Sequence, residues 1–278
     1  MEVLRVILGS TGLIGSAWKR QSESSIITVD RSVIEDWFKD SKQKSLMTFL
    51  DGLPQSSEIH ICFGNTNSKV GLEHLMKVNC LWPLLIAKRA MNREIRVISY
   101  GSALESMGID NDYFSSKREF DTQLKRIRID NLSTRIKLHT LYSDARPHAH
   151  MFLGQVYLSI RDKIPFNMTS GRQLREFHYV DDVIQSLAHA LRDKTVVDLE
   201  ISHGKPNRLN QMAEYLFNSF KLRNLLNIAA LPESINDNYT KIFEPALDFK
   251  KVLYREPLSS IQRIFTKLLA SEKEGLKL

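Results

Sequence analysis

The sequence predicts an α/β fold built on a doubly wound parallel sheet, and three observations predict it. Short apolar runs rich in β-branched residues alternate with helix-period segments from Val3 to Leu141, the pattern of strands buried on both faces by crossover helices. The first run, Val3 to Leu8, closes on Gly9-Ser10-Thr11-Gly12-Leu13-Ile14-Gly15 and leads into a helical segment. The second, Ile26-Ile27-Thr28-Val29, ends in Asp30, twenty-one positions beyond Gly9. With 278 residues, 42% of them hydrophobic, the chain can bury one full sheet core and a smaller attached lobe.

The glycine spacing has a mechanical reading. Gly9, Gly12 and Gly15 permit a tight turn, close approach of the backbone to a pyrophosphate, and close packing of helix on sheet. Free amides at that helix end favour an anionic phosphate. Thr11, Leu13 and Ile14 lie between the glycines and join them as candidate dinucleotide contacts. Asp30 stands where an acid meets the adenosine ribose. A carboxylate there accepts hydrogen bonds from both ribose hydroxyls of NAD(H) and repels the 2′-phosphate of NADP(H), while Arg31 beside it offsets the repulsion in part. NAD(H) is therefore the favoured cofactor and NADP(H) the alternative, on a sheet of the Rossmann type.

Further along, Val33 to Phe38 and Ser45 to Leu50 read as short helices. Glu58 to Phe63 reads as a strand leaving through Gly64-Asn65-Thr66-Asn67. Residues 72 to 91 read as a helix carrying Asn79, and Ile95 to Tyr100 as a strand delivering Ser102. A helix follows Tyr113, then a strand from Ser133 to Leu141, and Val196 to Ile201 supplies one more. No internal repeat or low-complexity segment breaks this order.

Tyr113-Phe114-Ser115-Ser116-Lys117 carries candidate chemistry. A free phenol titrates at about 10, so it relays protons poorly near neutrality unless positive charge stabilises its anion. On a helix, the four-residue spacing puts Tyr113 and Lys117 on one face. Lys117, helped by an oxidised nicotinamide ring, is expected to bring the phenol into a useful range while the Ser102 hydroxyl holds the substrate oxygen. Taken alone, Tyr-x-x-x-Lys reads equally as an aromatic staple beside a solvated lysine.

The Gly-x-x-Gly-x-x-Gly turn, Ser102 and Tyr113-x-x-Ser116-Lys117, in that order, resemble the short-chain dehydrogenase/reductase superfamily. The specific likeness is to its extended branch, the NAD-dependent epimerase/dehydratase family of nucleotide-sugar enzymes. A third match is the segment from Gly171 through Arg175-Glu176-Phe177 to Val180-Asp181-Asp182-Val183. The resemblance implies that Ser102, Tyr113 and Lys117 are catalytic, and that Phe63, Gly64 and Asn65 lie under the nicotinamide half of the cofactor with Asn79 a further contact. It also implies a nucleotide-diphosphate sugar as substrate, with Ser102 on the sugar and Arg175 on the diphosphate, which suits a planar guanidinium. Asp182 reads as the N-cap of a helix starting at Val183, and His178 as structural.

Departures from the family pattern narrow the reaction. Few positions separate Asp30 from the strand near residue 59, so the usual third strand has little room, and Asp51 is the one remnant of the adenine-contacting Asp motif. Dehydratases of the family need an acid pair directly after the catalytic hydroxyl residue. Ala103 and Leu104 fill those places, with Glu105 one step later, which argues against dehydration. Reduction of a 4-keto-6-deoxy sugar and epimerisation share every remaining catalytic residue. The short loop from Ser102 to Tyr113 and the wording Thr169-Ser170-Gly171-x-Gln173-x-Arg175 look most like reductases making 6-deoxyhexoses. A reductase is the expectation, an epimerase with retained NAD is the alternative, and a non-catalytic dinucleotide-binding sensor or scaffold is a third reading.

The formal net charge is +7. The densest basic set, Lys117 to Arg128, interleaves with Glu119, Asp121, Phe120, Leu124 and Ile127, the pattern of an amphipathic helix with a solvated face. No nucleic-acid partner is expected, and a positive field suits a diphosphate. No cationic leader or membrane-length apolar run occurs, and Cys62 and Cys80 lack metal-ligand spacing. A cytoplasmic protein with reduced thiols, no metal and no membrane partner is therefore expected. By resemblance it is a homodimer packed through the helices carrying Asn79 and Tyr113. Leu81, Leu84, Leu85, Phe120, Leu124 and Ile127 would supply the faces, unless that stripe faces the sheet. Residues 1–143 and 175–203 are expected to form the NAD(P)-binding Rossmann domain, and 144–174 with 204–278 the substrate lobe.

Overall fold

A computed structural model describes residues 3–21, 25–245 and 255–275. Along the chain it contains β1 (Arg5–Leu8), α1 (Leu13–Gln21), β2 (Ile26–Val29), α2 (Arg31–Trp37), α3 (Lys44–Asp51), β3 (Glu58–Ile61) and α4 (Leu72–Met76). A π-helical stretch, Lys77–Leu81, joins α4 to α5 (Trp82–Met91), followed by β4 (Arg96–Ser102), α6 (Asp112–Ile127) and β5 (Ser133–Leu138). Then come β6 (Thr140–Tyr142), α7 (Phe152–Asp162), β7 (Phe166–Asn167), β8 (Leu174–Arg175), β9 (Phe177–Tyr179) and α8 (Val180–Ala190). The last elements are β10 (Asp198–Glu200), β11 (Asn207–Arg208), α9 (Leu209–Ser219), β12 (Leu226–Asn227) and α10 (Pro257–Lys273).

The chain divides into two compact units, Met1–Leu138 with Ile184–Ile201, and His139–Val183 with Ser202–Leu278. The first holds a six-stranded sheet in the order β10-β5-β4-β3-β1-β2, every neighbouring pair parallel. Leu8 lies opposite both Val29 and Ile61. The glycine turn, Asp30 and Phe63 therefore leave one end of the sheet side by side, and the carboxyl ends of parallel strands are where open α/β sheets hold ligands. Val6, Leu8, Ile59, Ile61, Val97, Ile86, Phe120 and Leu124 close the core beneath them.

Helix ends follow local rules. The Asn111 side chain accepts the Phe114 amide at 2.9 Å and caps α6, which carries Asp112 in its first turn and Lys125 and Arg126 in its last. The Glu256 carboxylate accepts the amides of Leu258 and Ser259 and starts α10.

The short stretch after Asp30 is as expected, and several other expectations are corrected. Only α2 and α3 fill the chain between β2 and β3, so β2 is the sheet edge and no third strand stands beside it. Asp51 ends α3 at the amino side of the sheet, where it pairs with Arg93 at 2.6 Å, away from the ligand end. The run from Ser133 to Leu141 is two strands: β5 stops at Leu138, and β6 pairs with β9 in a separate two-stranded sheet. For that reason residues 139–143, 175–183 and 202–203 fall in the second unit, where the sequence reading had them in the first. Asp182 is not an N-cap, because α8 already starts at Val180 and the Asp182 carboxylate is bidentate with Arg255 at 2.9 and 3.0 Å. Finally, Phe120 and Leu124 are core residues and Leu84 and Ile127 pack against that core, so these four side chains follow the alternative in which the stripe faces the sheet. Leu81 alone among those named stands exposed.

The second unit has its own core of Tyr142, Val156, Tyr157, Phe177, Tyr179, Met212, Phe217, Ile261 and Phe265. Among the described residues, no helix is long and apolar enough to cross a membrane, and no group of three or more His, Cys, Asp or Glu side chains could hold a metal ion.

Candidate active site

The glycine turn is built from three different constraints. Gly9 takes φ +90°, and a Cβ there would meet Phe63 backbone and Cβ atoms at 2.7 to 2.9 Å. A Cβ on Gly15 would fall 2.3 Å from the Gly9 carbonyl oxygen, so α1 can sit on the turn only as glycine. Gly12 differs. A Cβ there would make only ordinary contacts, 3.5 Å to the Gly9 oxygen and 3.8 Å to the Cys62 oxygen. The fold itself does not require glycine at 12, whereas a pyrophosphate approaching the backbone does. Thr11 and Gly12 are exposed, with Leu13 and Ile14 half-buried behind them, and the first amides of α1 have no acceptor within the helix. The residues present therefore fit a dinucleotide phosphate.

Asp30 is held against this turn by a hydrogen bond from the Ser10 hydroxyl. Ser10, which the sequence reading passed over, thus fixes Asp30 to the glycine turn. The Arg31 guanidinium points along its own helix and donates to Glu35 at 2.9 Å.

The exit of β3 is stapled from below. Asn79, buried in the π-helical stretch, accepts the Asn65 amide at 2.8 Å and donates its own amide to the Asn65 carbonyl at 2.8 Å and to Ser116 Oγ at 3.1 Å. Its side-chain hydrogens are both used, so it shapes the Phe63-Gly64-Asn65 loop from within. Ser116 passes the link onward by donating to the Tyr113 carbonyl at 2.7 Å. The serine before lysine therefore ties the β3 exit to the first turn of α6.

Lys117 projects from α6 to the ends of β3 and β4. Its Nζ donates to the Tyr100 carbonyl at 3.2 Å and lies 3.9 Å from where a Gly64 Cβ would be. Burial, reinforced by the nearby Arg135 cation and opposed by Glu105, lowers its pKa to about 8. Burial pushes the Tyr113 phenol well above the usual tyrosine range, Glu105 pushes it further and Arg135 opposes. Burial, Glu105 and Arg135 set this shift, and the expected action of Lys117 together with an oxidised nicotinamide ring belongs to the cofactor-bound protein. In the protein as it stands Tyr113 is a neutral phenol, the form that can give a proton.

Ser102 ends β4 and caps the short 3₁₀ turn Ala103–Met107. Its Oγ accepts the Leu104 amide at 3.2 Å, and its own amide donates to Glu105 Oε1 at 2.7 Å. The spacing Ser102-x-x-Glu105 is that of a capping box, a signal in the sequence that would have found Glu105.

Arg175 belongs to the second unit. It is half-buried on β8 and donates to Asp237 at 2.6 Å and to the Leu174 carbonyl at 2.9 Å. Arg172 donates to Glu233 at 2.6 Å, so acids of one loop hold both arginines of the Gly171 segment. Glu176 beside them is an anchor. Although burial opposes its charge, bonds from His178, the Ser202 hydroxyl and the His203 amide hold it ionised with a pKa of about 2, and His178 is structural as read.

No protein-family model matches the chain, and no curated protein matches it. Solved structures do. A double mutant of dTDP-glucose 4,6-dehydratase from Streptomyces venezuelae, with NAD bound, is 15% identical, with 98% of each chain covered and a TM-score of 0.76. A dTDP-4-dehydrorhamnose reductase from Bacillus anthracis in complex with NADP is 14% identical, covering 96% of this chain and 99% of that one, TM-score 0.73. The UDP-glucose 4-epimerase of Thermotoga maritima with UDP-glucose is 13% identical, covering 96% and 100%, TM-score 0.73. At this level of identity the likeness speaks for architecture: the chain has the Rossmann-type α/β fold that these nucleotide-sugar enzymes share.

Proposed function

We propose that the protein is an extended short-chain dehydrogenase/reductase that reduces a nucleotide-activated 4-keto-6-deoxy sugar with NAD(P)H. The observation that carries the reading is the placement of Lys117. Its ammonium is held at the carboxyl ends of two adjacent strands, β3 and β4, one helical turn after a neutral Tyr113 and beside the strand that delivers Ser102. The alternative of dehydration lacks its acid, because Ala103 and Leu104 follow Ser102 and Glu105 is already committed to Arg135 at 3.1 Å and to the Ser102 amide.

In this reading Gly9, Gly12 and Gly15 with the first amides of α1 bind the diphosphate of the dinucleotide, and Asp30 binds its ribose. When bound, the reduced nicotinamide supplies the hydride for the C4 carbonyl. The Ser102 hydroxyl donates a hydrogen bond to the C4 oxygen and orients it. Tyr113 gives that oxygen its proton, and Lys117 stabilises the phenolate left behind. Arg175 meets the substrate diphosphate once Asp237 yields it.

The test is a cofactor-oxidation screen with NADH and NADPH in parallel against 4-keto-6-deoxy sugar nucleotides. Net oxidation on one keto sugar supports the reductase; tightly retained NAD with no net oxidation is the result of an epimerase. Asp30→Ala is expected to shift preference toward NADPH by about tenfold, since it removes one charge near the 2′-phosphate. Unchanged preference would mean that the carboxylate serves only Ser10. Asp237→Asn is expected to lower KM for the sugar nucleotide severalfold, and Arg175→Ala to raise it. If neither substitution moves KM, the diphosphate is bound elsewhere.

A further inference from the structure

We propose that Glu105 and Arg135 are positioning residues, a buried ion pair that locks Ser102 to the helix carrying Tyr113 and Lys117. The inference rests on the reading of Ser102 and Tyr113 as the reacting pair.

Arg135 lies on β5 with its side chain 1% exposed, and its Nη2 donates to both Glu105 oxygens at 3.1 and 3.2 Å. Glu105 in turn accepts the Ser102 amide at 2.7 Å. The same guanidinium lies 4.8 Å over the Phe120 ring and 3.7 Å from the Asp121 carboxylate. Both of those residues are on α6, where Phe120 stands two turns beyond Tyr113. One cation thus joins three elements: the end of β4 through Glu105, β5 through its own backbone, and α6 through Phe120 and Asp121.

The chain keeps a lane clear for this pair. A Cβ on Gly101 would fall 2.4 Å from Arg135 Nη2 and 2.6 Å from Glu105 Oε1. An ion pair is a costly way to fill such a lane, because the desolvation of two buried charges is returned only in part by their attraction. Apolar side chains of similar volume would fill it at less cost, and what they would not supply is a directed acceptor for the Ser102 amide. They would also supply no field at the phenol. Arg135 Nε and Nη1 have no hydrogen-bond partner, Nε facing the Asp121 carboxylate at 3.7 Å, and the guanidinium acts electrostatically on both Tyr113 and Lys117. The charged and titratable groups around the pair are Tyr113, Lys117, Arg118 and Asp121 from α6 and Lys137 from β5. Glu105 acts to keep the phenol protonated and the lysine charged, and Arg135 acts in the opposite sense on both.

The test uses the full chain carrying ¹³C-labelled tyrosine, with Tyr113 assigned by Tyr113→Phe and titrated by NMR without cofactor or substrate. Glu105→Gln keeps an oxygen for the Ser102 amide and removes the charge. The expected result is a Tyr113 midpoint moved down toward the ordinary tyrosine range, with kcat down about tenfold, its alkaline limb shifted to lower pH, and dinucleotide affinity unchanged. The double variant Glu105→Gln/Arg135→Met removes both charges and guards against misfolding. It is expected to return the Tyr113 midpoint toward that of the natural protein while kcat stays low, because nothing then ties Ser102 to α6. A Glu105→Gln midpoint identical to the natural one, or a double variant with full kcat, overturns the inference. Failure of the natural protein to turn over any keto sugar nucleotide would overturn the reductase reading instead, and the Tyr113 titration reads the pair either way.

Discussion

Tyr113→Phe is expected to lower turnover by about a thousandfold, within the range for loss of a general acid, while dinucleotide affinity measured by calorimetry stays within about twofold. Phenylalanine keeps the ring and its edge-on packing against Phe114 at 5.0 Å, so the substitution removes one oxygen and one proton and little else. Ser102 and Lys117 keep their own anchors, the Leu104 amide and the Tyr100 carbonyl. The loss should therefore appear in kcat and not in cofactor binding. A dinucleotide sensor would show little loss of signal in the same variant, and an enzyme that retains turnover would have to draw its proton from another group.

The two glycines that end the phosphate turn should separate binding from folding. Gly12→Ala places its methyl in open contact with the Gly9 and Cys62 oxygens, so the melting temperature should not move. Dinucleotide affinity should fall tenfold or more, which is about 1.4 kcal/mol, because the methyl stands where the pyrophosphate approaches. Gly15→Ala drives its methyl to 2.3 Å from a backbone oxygen, where no side-chain rotation can relieve it. That variant should lose about 2 kcal/mol of stability or more, seen as a lowered denaturation midpoint before any ligand is added. Equal behaviour of the two variants would refute the distinction between a ligand-imposed glycine and a fold-imposed one.

The parts of the fold that were legible in the sequence are those whose causes are local. β1, β2, β3 and the start of β4 read as strands because buried parallel strands are short unbroken apolar runs ended by glycine or polar turns. The glycine turn and Asp30 announced themselves by spacing. What stayed hidden depends on partners far along the chain. Glu58 and Arg96 are charged residues inside strands, and they are buried because they meet each other at 2.9 Å across 38 positions. No local window contains that reason. The break at His139 was invisible because β6 alternates as a continuation of β5 would, and only its pairing with β9 takes it out of the sheet. Asp182 carried the local look of a cap, yet its partner is Arg255, 73 positions on.

The site divides in the same way. Ser102, Tyr113 and Lys117 could be proposed from type and spacing, since they lie within one strand end and one helix turn. The buried shell around them was missed. Ser10 was overlooked because a serine between glycines reads as turn filler, and Arg135 because an arginine in a strand reads as an outward-facing residue. Asn79 was read by resemblance as a cofactor contact, and its role in shaping the Asn65 loop came only with the structure.

The measurement that tests the account most directly is hydride transfer itself. The protein is incubated with NADH or NADPH deuterated at nicotinamide C4 and with the 4-keto-6-deoxy sugar nucleotide that scores in the oxidation screen, and the product is read by NMR and mass spectrometry. The account predicts one deuterium at sugar C4 with stoichiometric oxidation of the dinucleotide, and labelling about a thousandfold slower in the Tyr113→Phe reaction. A product formed without deuterium, or a sugar nucleotide returned unchanged by every keto substrate, would contradict it.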